Sequence, residues 1–260
     1  MRTAVISDIH SNLAALEAVL ADIDQRGVQR IICLGDLIGY GPDPVACADL
    51  VAERCEWSLM GNHDFGVLYE PTNFNAAAEQ AAYWTRRQFE RASLEDPTSG
   101  QRRWNFLGHL RVRVAENGYL SVHGTPRRPI NEYLFPDDAI NNPQKLASIF
   151  ERIEHVCMVG HTHVPGVFTD DQEFWKPDEL GGGVFTVEPG QKAIVNPGSV
   201  GQPRDGDPRA SYAILDTGDA GAKHRFEFFR IPYEVELTID KIHAIPELHD
   251  WLGDRLREGR

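Results

Sequence analysis

Gly61-Asn62-His63-Asp64 follows the short apolar run Trp57-Ser58-Leu59-Met60, and this junction decides how the rest of the chain is read. The run has the length and apolarity of a buried strand. A strand that stops on glycine hands Asn62, His63 and Asp64 to a loop at its carboxyl edge, where open α/β sheets assemble their sites. Asn62 offers a neutral oxygen to a cation, and His63 can ligate a metal or move a proton. Alone, the tetrapeptide also reads as an ordinary polar turn, because Gly and Asn serve turns for backbone reasons. The other strand ends decide between the two.

Toward the N-terminus, residues 3–7 read as a strand buried on both faces, ending in Asp8-Ile9-His10. In extended backbone, residues i and i+2 point the same way, so Asp8 and His10 are expected to face one point. The competing role for Asp8 is to cap the helix that follows, which opens at Ser11-Asn12, carries Leu13, Leu16, Val19, Leu20 and Ile23 on one face, and closes at Gly27. A second strand, 30–34, ends in Gly35-Asp36. A Gly/Pro-rich loop at 37–44 and a helix at 45–54 lead to the third strand, 56–60.

Toward the C-terminus, 66–110 reads as a helical insertion. It has helices at 73–91 and 101–110 and a loop at 95–100, with Tyr83, Trp84 and Phe89 as packing residues. Strands at 111–115 and 119–122 flank the turn Glu116-Asn117-Gly118, and the second ends in His123-Gly124. The irregular stretch 126–143 is placed to hang over a site, and 144–153 is helical. Strand 155–159 ends in Gly160-His161-Thr162-His163. Later strands at 166–168, 184–187, 192–195, 210–215 and 224–231 are expected to form a second, antiparallel sheet. The loop 196–204 either holds an anion on its amides or closes a tight turn, with the turn preferred. The tail 235–257 makes one or two amphipathic helices, split at Pro246. With no repeat or linker, the chain is expected to be one α/β domain, 1–260, carrying the insertion.

Composition narrows the function. The 260 residues are 42% hydrophobic and 25% charged, with a formal net charge of -13, so a broad basic face for nucleic acid is not expected. No apolar run is long enough to span a membrane, and Met1-Arg2-Thr3 leads into a strand and not into a signal peptide. Cys33, Cys47, Cys55 and Cys157 form no Cys-x-x-Cys pair and read as small buried hydrophobes of a reducing cytoplasm.

Strands 3–7, 30–34, 56–60, 119–122 and 155–159 each end in metal-capable groups: Asp8 and His10, Asp36, Asn62 and His63, His123, His161 and His163. Unrelated caps and turns would not need to be Asp, His and Asn alone. Carboxylate, imidazole and amide oxygen together suit borderline divalent ions, and this many ligands exceeds what one tetrahedral ion takes, so two metals are implied.

The series Asp8-x-His10, Gly35-Asp36, Gly61-Asn62-His63-Asp64, His123 and Gly160-His161-x-His163 resembles the calcineurin-like metallophosphoesterase superfamily. The loop Asn196-Pro197-Gly198-Ser199 and the strand ending in Asp216 resemble its small bacterial branch. The resemblance implies a four-layer α/β/β/α sandwich of two mixed sheets and a phosphatase or phosphodiesterase acting on a small phosphate ester. It implies two divalent ions, manganese first, with iron, zinc, cobalt or nickel as alternatives. Asp8, His10 and His163 would hold one ion, Asn62, His123 and His161 the other, and Asp36 would bridge them. A hydroxide between the ions would attack phosphorus, and His63, not a ligand, would stabilise the transition state or protonate the leaving oxygen. Asn62 and Arg204 are candidate substrate contacts.

One departure stands out. The protein Ser/Thr phosphatases of the superfamily carry a further Asp three residues after the bridging Asp, where this chain has Gly39, followed by Tyr40-Gly41 and not Arg-Gly. This argues against a protein phosphatase and leaves His63 to be oriented by Asp64 or a backbone carbonyl. The alternatives are a non-catalytic protein-binding scaffold of the same fold, which usually loses ligands that this chain keeps, and a nuclease, which asks for a basic groove. A homo-oligomer is compatible with all of these.

Overall fold

The computed structural model describes residues 1–217 and 223–260. Its layers follow from alternation along single strands. In β1 (Arg2–Ile6), Ala4 and Ile6 pack toward helix α1 (Leu13–Gln25), while Val5 faces the opposing sheet. In β2 (Arg30–Cys33), Ile31 and Cys33 face the helices and Ile32 the opposing sheet. Such strands are apolar on both faces because both faces are covered.

The first sheet has the order β3-β2-β1-β11-β12-β9, where β3 is Trp57–Ser58, β9 Val184–Val187, β11 Ala210–Thr217 and β12 His224–Ile231. Its first three strands are parallel, and β11 joins β1 antiparallel, with Val5 opposite Ala213. The second sheet has the order β4-β5-β6-β10-β7-β8: β4 Arg113–Glu116, β5 Tyr119–Val122, β6 Val156–Met158, β7 Gly166–Thr169, β8 Phe174–Trp175 and β10 Ala193–Asn196. Here β6 runs parallel to β5 and β10, while β4, β7 and β8 are antiparallel to their neighbours.

The sheets meet through Val5, Ile32, Leu34, Ala213 and Phe226 on one side and Val156, Met158, Val167 and Val195 on the other. Helices α1 and α2 (Pro44–Arg54) cover the outer face of the first sheet. Helix α7 (Pro143–Phe150) covers the second through Leu146, Ile149 and Phe150 against Cys157 and Ile194. The four-layer sandwich of two mixed sheets is therefore present.

The partition of strands differs from expectation. The late strands do not form a sheet of their own: β9, β11 and β12 extend the first sheet, while β7, β8 and β10 extend the one holding β5 and β6. Strand pattern reports that both faces are buried but not which sheet covers them, so membership was unreadable from it. The segment 62–64 is also no loop, because Gly61 caps helix α3 (Asn62–Leu68) and Asn62, His63 and Asp64 form its first turn.

The expected loop at 95–100 is a helix junction. Helix α4 (Ala76–Glu95) stops at Asp96, whose carboxylate accepts from the Thr98 and Ser99 amides and opens α5 (Pro97–Gly108), with proline at the first position. Asp-Pro is a helix start as much as a turn. A short helix α6 (Asp138–Asn141) lies within 126–143. The tail forms α8 (Val235–His243) and α9 (Trp251–Asp254), and its Ile239, Ile242, Leu252 and Leu256 pack with Tyr40, Ala81 and Trp84. No helix among the described residues is long and apolar enough to cross a membrane.

Candidate metal centre

The loops that leave β1, β2 and β6 turn sharply. Asp8, His10, Ser11, Asp36, His161 and His163 all sit at positive φ, between +48° and +69°. Non-glycine residues adopt this region at a cost of about 1–3 kcal/mol each, and such residues gather where a site needs them. Asp8 and His10 do converge, but through left-handed turns and not through the extended i, i+2 geometry the sequence suggested. Backbone bonds hold the turns: Asp8 N–H donates to Gly35 O (3.0 Å) and His10 N–H to Asp36 O (3.0 Å), while Gly201 N–H donates to Asp8 O (3.0 Å).

Two groups of buried donors result. Asp8, His10, Asp36 and His163 bring ligand atoms within 4.8 Å of one another, and so do Asp36, His123 and His161. Asn62 Oδ1 lies 3.3 Å from His123 Nε2, which adds it to the second group. All seven predicted ligands therefore meet, and Asp36 belongs to both groups. Its Oδ2 is buried, accepts no hydrogen bond, and stands 3.3 Å from His123 Nε2 and 3.6 Å from His10 Nε2. An orphaned carboxylate oxygen between two donor groups fits a shared cation ligand. A buried polar atom with no partner is otherwise costly.

Second partners aim two of the imidazoles. His163 Nδ1 faces Gln202 O at 2.5 Å, and His123 Nδ1 faces Leu34 O at 2.9 Å. A carbonyl fixes the proton on Nδ1 and leaves the Nε2 lone pair for a metal. Burial pushes His10 well down and His161 to about 3, so both rings are held neutral, as ligation requires. Burial alone would raise Asp36, but His123 beside it holds it well below the usual carboxylate range.

Asp64 does not orient His63. Its carboxylate accepts from the amides of Asp36 (2.8 Å), Leu37 (3.0 Å), Ile38 (3.2 Å) and Gly61 (2.9 Å), shaping the loop that carries Asp36. Burial and the Asp36 charge push this carboxyl up to about 8, against the pull of the amide donors on both oxygens, which favour the ionised form.

His63 is placed by its helix and by aromatic neighbours. Its amide donates to Asp36 Oδ1 (2.8 Å), and its ring lies 4.2 Å from Tyr40 and 4.6 Å from Phe74, centroid to centroid. No backbone carbonyl reaches it either, since Nδ1 is buried without a partner. A Cβ at Gly39 would come within 2.7 Å of that nitrogen. Burial lowers the ring to about 4.

The loop 196–204 is a strap and not an anion cradle. Asn196 Nδ2 donates to Gly160 O (2.8 Å) and Thr162 Oγ1 (2.9 Å), and Ser199 Oγ donates to Asp8 O (2.7 Å). The amides of Gly198, Val200, Gly201 and Gln202 are all engaged within the protein. Arg204 leaves this strap with its guanidinium 6.0 Å from the Tyr40 ring, Nη2 on Gln202 Oε1 (2.7 Å), and Nε buried without a partner.

Residues 1–220 match the family model of the calcineurin-like phosphoesterase superfamily domain. The chain belongs to that superfamily. It is 39% identical over 268 residues to the uncharacterized protein MJ0912 of Methanocaldococcus jannaschii, covering 99% of this chain and 98% of that one. A crystal structure of a metallophosphoesterase from Sphaerobacter thermophilus matches with 37% identity and a TM-score of 0.82, over 100% of this chain and 99% of that one. The hypothetical protein PH1004 from Pyrococcus horikoshii OT3, at 16% identity, shares the fold, with a TM-score of 0.72 over 100% and 98% of the two chains.

Within this calcineurin-like frame, several residues at the site carried no sequence signal. Leu34 and Gln202 act through carbonyls, which any residue supplies. Tyr40 and Phe74 touch His63, and the Tyr133 ring stacks 3.7 Å from that of His161, but aromatics in loops and helices read as packing. Only the Gly39-Tyr40 departure from the phosphatase pattern could have pointed to one of them.

Proposed function

We propose that the protein is a dinuclear metal-dependent phosphoesterase that hydrolyses a small phosphomonoester or phosphodiester. The observation that carries this is the meeting of two buried donor groups at Asp36, with His63 beside them and not among them. In this reading Asp8, His10 and His163 hold one ion, Asn62, His123 and His161 the other, and Asp36 both. Two divalent cations bound there, manganese before iron, zinc, cobalt or nickel, supply Lewis-acid charge and acidify water. Only two carboxylates oppose their charge, so the site stays positive toward a phosphate ester within an acidic protein.

The remaining work falls to the chain. His63, held neutral by burial, donates a hydrogen bond from its ring to the ester oxygen that leaves. Arg204, with an unpaired Nε, binds a phosphoryl oxygen. Gly39 in place of the phosphatase Asp supports a small-molecule ester over a phosphoprotein. Free cysteines throughout support a reducing compartment, the cytoplasm.

Manganese-loaded protein is expected to cleave p-nitrophenyl phosphate or its bis-aryl diester. His63→Ala should keep its metal content while kcat falls by about 10²–10⁴-fold. Full activity in that variant would remove His63 from the reaction. Inactivity of the wild type across metals and esters would leave a binding scaffold.

A further inference from the structure

Arg204 and Arg255 are two half-buried cations with no acidic side chain to answer them. Arg204 stands at the end of the strap, where its backbone N–H donates to His163 O (3.4 Å) and seats it against the metal centre. Its Nη2 donates to Gln202 Oε1, a neutral oxygen, and its Nε is buried without a partner. Arg255 comes from the turn after α9, in the tail beyond the stretch 1–220 that carries the superfamily match. It lies 4.5 Å over the Trp251 ring, and its Nε donates to the main-chain oxygen of Arg260. Gly206 N–H donates to Gly259 O (3.0 Å), which ties the tail to the chain just past Arg204.

The acids nearby are engaged elsewhere. Asp205 pairs with Arg230, Asp207 with Arg209 (2.6 Å) and Asp254 with Arg257 (3.2 Å). Among the described residues, no Asp or Glu side chain comes within 4.0 Å of the Arg204 or Arg255 guanidinium. Burial and the neighbouring Arg204 charge lower Arg255 to about 10, against the pull of Tyr40. Two such cations left together in a protein of net charge -13 carry a cost that an anion between them would remove. Tyr40 links the pair to the site. Its ring lies 6.0 Å from the Arg204 guanidinium, 4.2 Å from the His63 ring and 4.9 Å from that of His10. Tyr40 also lines a cavity of about 310 Å³ that opens beside His63 and Asn62, a size suited to a small organic ester. Glu70 lies elsewhere on that cavity's wall, so an anion is favoured at the Tyr40 end.

Resting on the phosphoesterase reading above, we infer that Arg204 and Arg255 build an oxyanion subsite beside the metal centre, and that the substrate carries a second anionic group, a carboxylate or a further phosphate, which is held there. Either group presents paired oxygens that a guanidinium fork meets with two N–H donors. Arg204, seated against the metal centre, reaches the phosphoryl group as well. Arg255, whose Nη groups make no hydrogen bond among the described residues, takes the second anion. Arg255 is then a specificity-determining residue, selecting an ester with a charged tail over one of the same size with a neutral tail.

The test is calorimetric titration of the manganese-loaded protein with three phosphonates, which have no ester bond to cleave. Propylphosphonate presents one anion, 3-phosphonopropionate adds a carboxylate, and propane-1,3-diphosphonate adds a second phosphonate. A two-anion probe should bind at least about tenfold tighter than propylphosphonate, the scale of one charge-assisted hydrogen bond, and the tighter of the two identifies the second group. In Arg255→Gln that advantage should collapse toward one, and Arg255→Lys, which keeps the charge, should restore part of it, with an unchanged melting temperature in both. Equal binding of the three probes to the wild type overturns the subsite whatever the variants do, and so does an advantage that survives Arg255→Gln. p-Nitrophenyl phosphate hydrolysis by the wild type, measured alongside, separates the two readings. Turnover without a two-anion advantage sinks the subsite and keeps the phosphoesterase; an advantage that Arg255→Gln abolishes, without turnover of any ester, does the reverse.

Discussion

A Cβ built at Gly61 would lie 2.0 Å from Asp36 Oδ1 and 2.4 Å from the Asp36 amide. Those atoms are backbone or part of the shared carboxylate and have no room to move. Gly61→Ala is therefore expected to displace Asp36 and lower bound manganese below the wild-type content by elemental analysis, with the far-ultraviolet circular dichroism retained. Gly39 guards a different neighbour. Its φ of +91° and the 2.7 Å approach to His63 Nδ1 make Gly39→Ala strain the backbone by about 1–3 kcal/mol and shift the imidazole. We expect kcat to fall at least about tenfold while both ions stay bound, in keeping with the sensitivity of catalysis to small misplacements. Unchanged turnover in Gly39→Ala would mean that the position of His63 does not matter.

At the scale of elements, α1 is fastened to the first sheet by a buried tyrosine. Tyr212 on β11 donates its hydroxyl to Asp22 Oδ2 (2.5 Å), Arg26 Nε donates to the same oxygen (2.6 Å), and the Arg26 guanidinium lies 3.8 Å over Phe229 of β12. Burial pushes the Asp22 carboxyl up, but the hydrogen bonds from Arg26 and Tyr212 outweigh it and hold the carboxyl below its ordinary value. A lowered folded pKa means that the stabilisation is full above the unfolded pKa of about 3.9 and is lost as pH falls through the folded value. Asp22→Asn should thus cost about 1 kcal/mol at pH 7 by urea unfolding, discounted for partial exposure, and the gap should narrow steadily as pH falls below about 3.9. A gap that does not narrow in acid would assign the effect to something other than the charge. The same scale shows what could be read in advance. Every strand end bearing a ligand was legible, because Asp, His and Asn at the ends of apolar runs are chemically conspicuous. The start of α5 at Pro97 and the sheet membership of β7, β9 and β10 were not. An Asp-Pro pair serves a turn and a helix cap alike, and an apolar strand looks the same in either of two buried sheets. Convergence of Asp8 with His10 was foreseen for the wrong reason, since nothing in those residue types announces positive φ.

For the whole molecule, burying Asp36, His10 and His161 without a cation leaves Asp36 Oδ2, His10 Nδ1 and His161 Nε2 unsatisfied. Ions that bind only the folded chain stabilise it by mass action, about 2.7 kcal/mol at a hundredfold excess over Kd. For a chain of this size that raises the melting temperature by about 5–10 °C. Chelation should remove this increment and manganese should restore it, as read by scanning calorimetry; a melting temperature indifferent to chelator would argue against the cage. The position of the cage has a mechanical corollary. Asp8, His10, Asp36 and Asn62 hang from strands of the first sheet, and His123, His161 and His163 from the second. Each ion would therefore act as a rivet through the seam between the halves of the sandwich, so that sliding one half past the other means pulling a rivet. Amide exchange at the carboxyl ends of β2 and β6 should then slow in concert when metal is added, while the far edges at β8 and β9 keep their own pace.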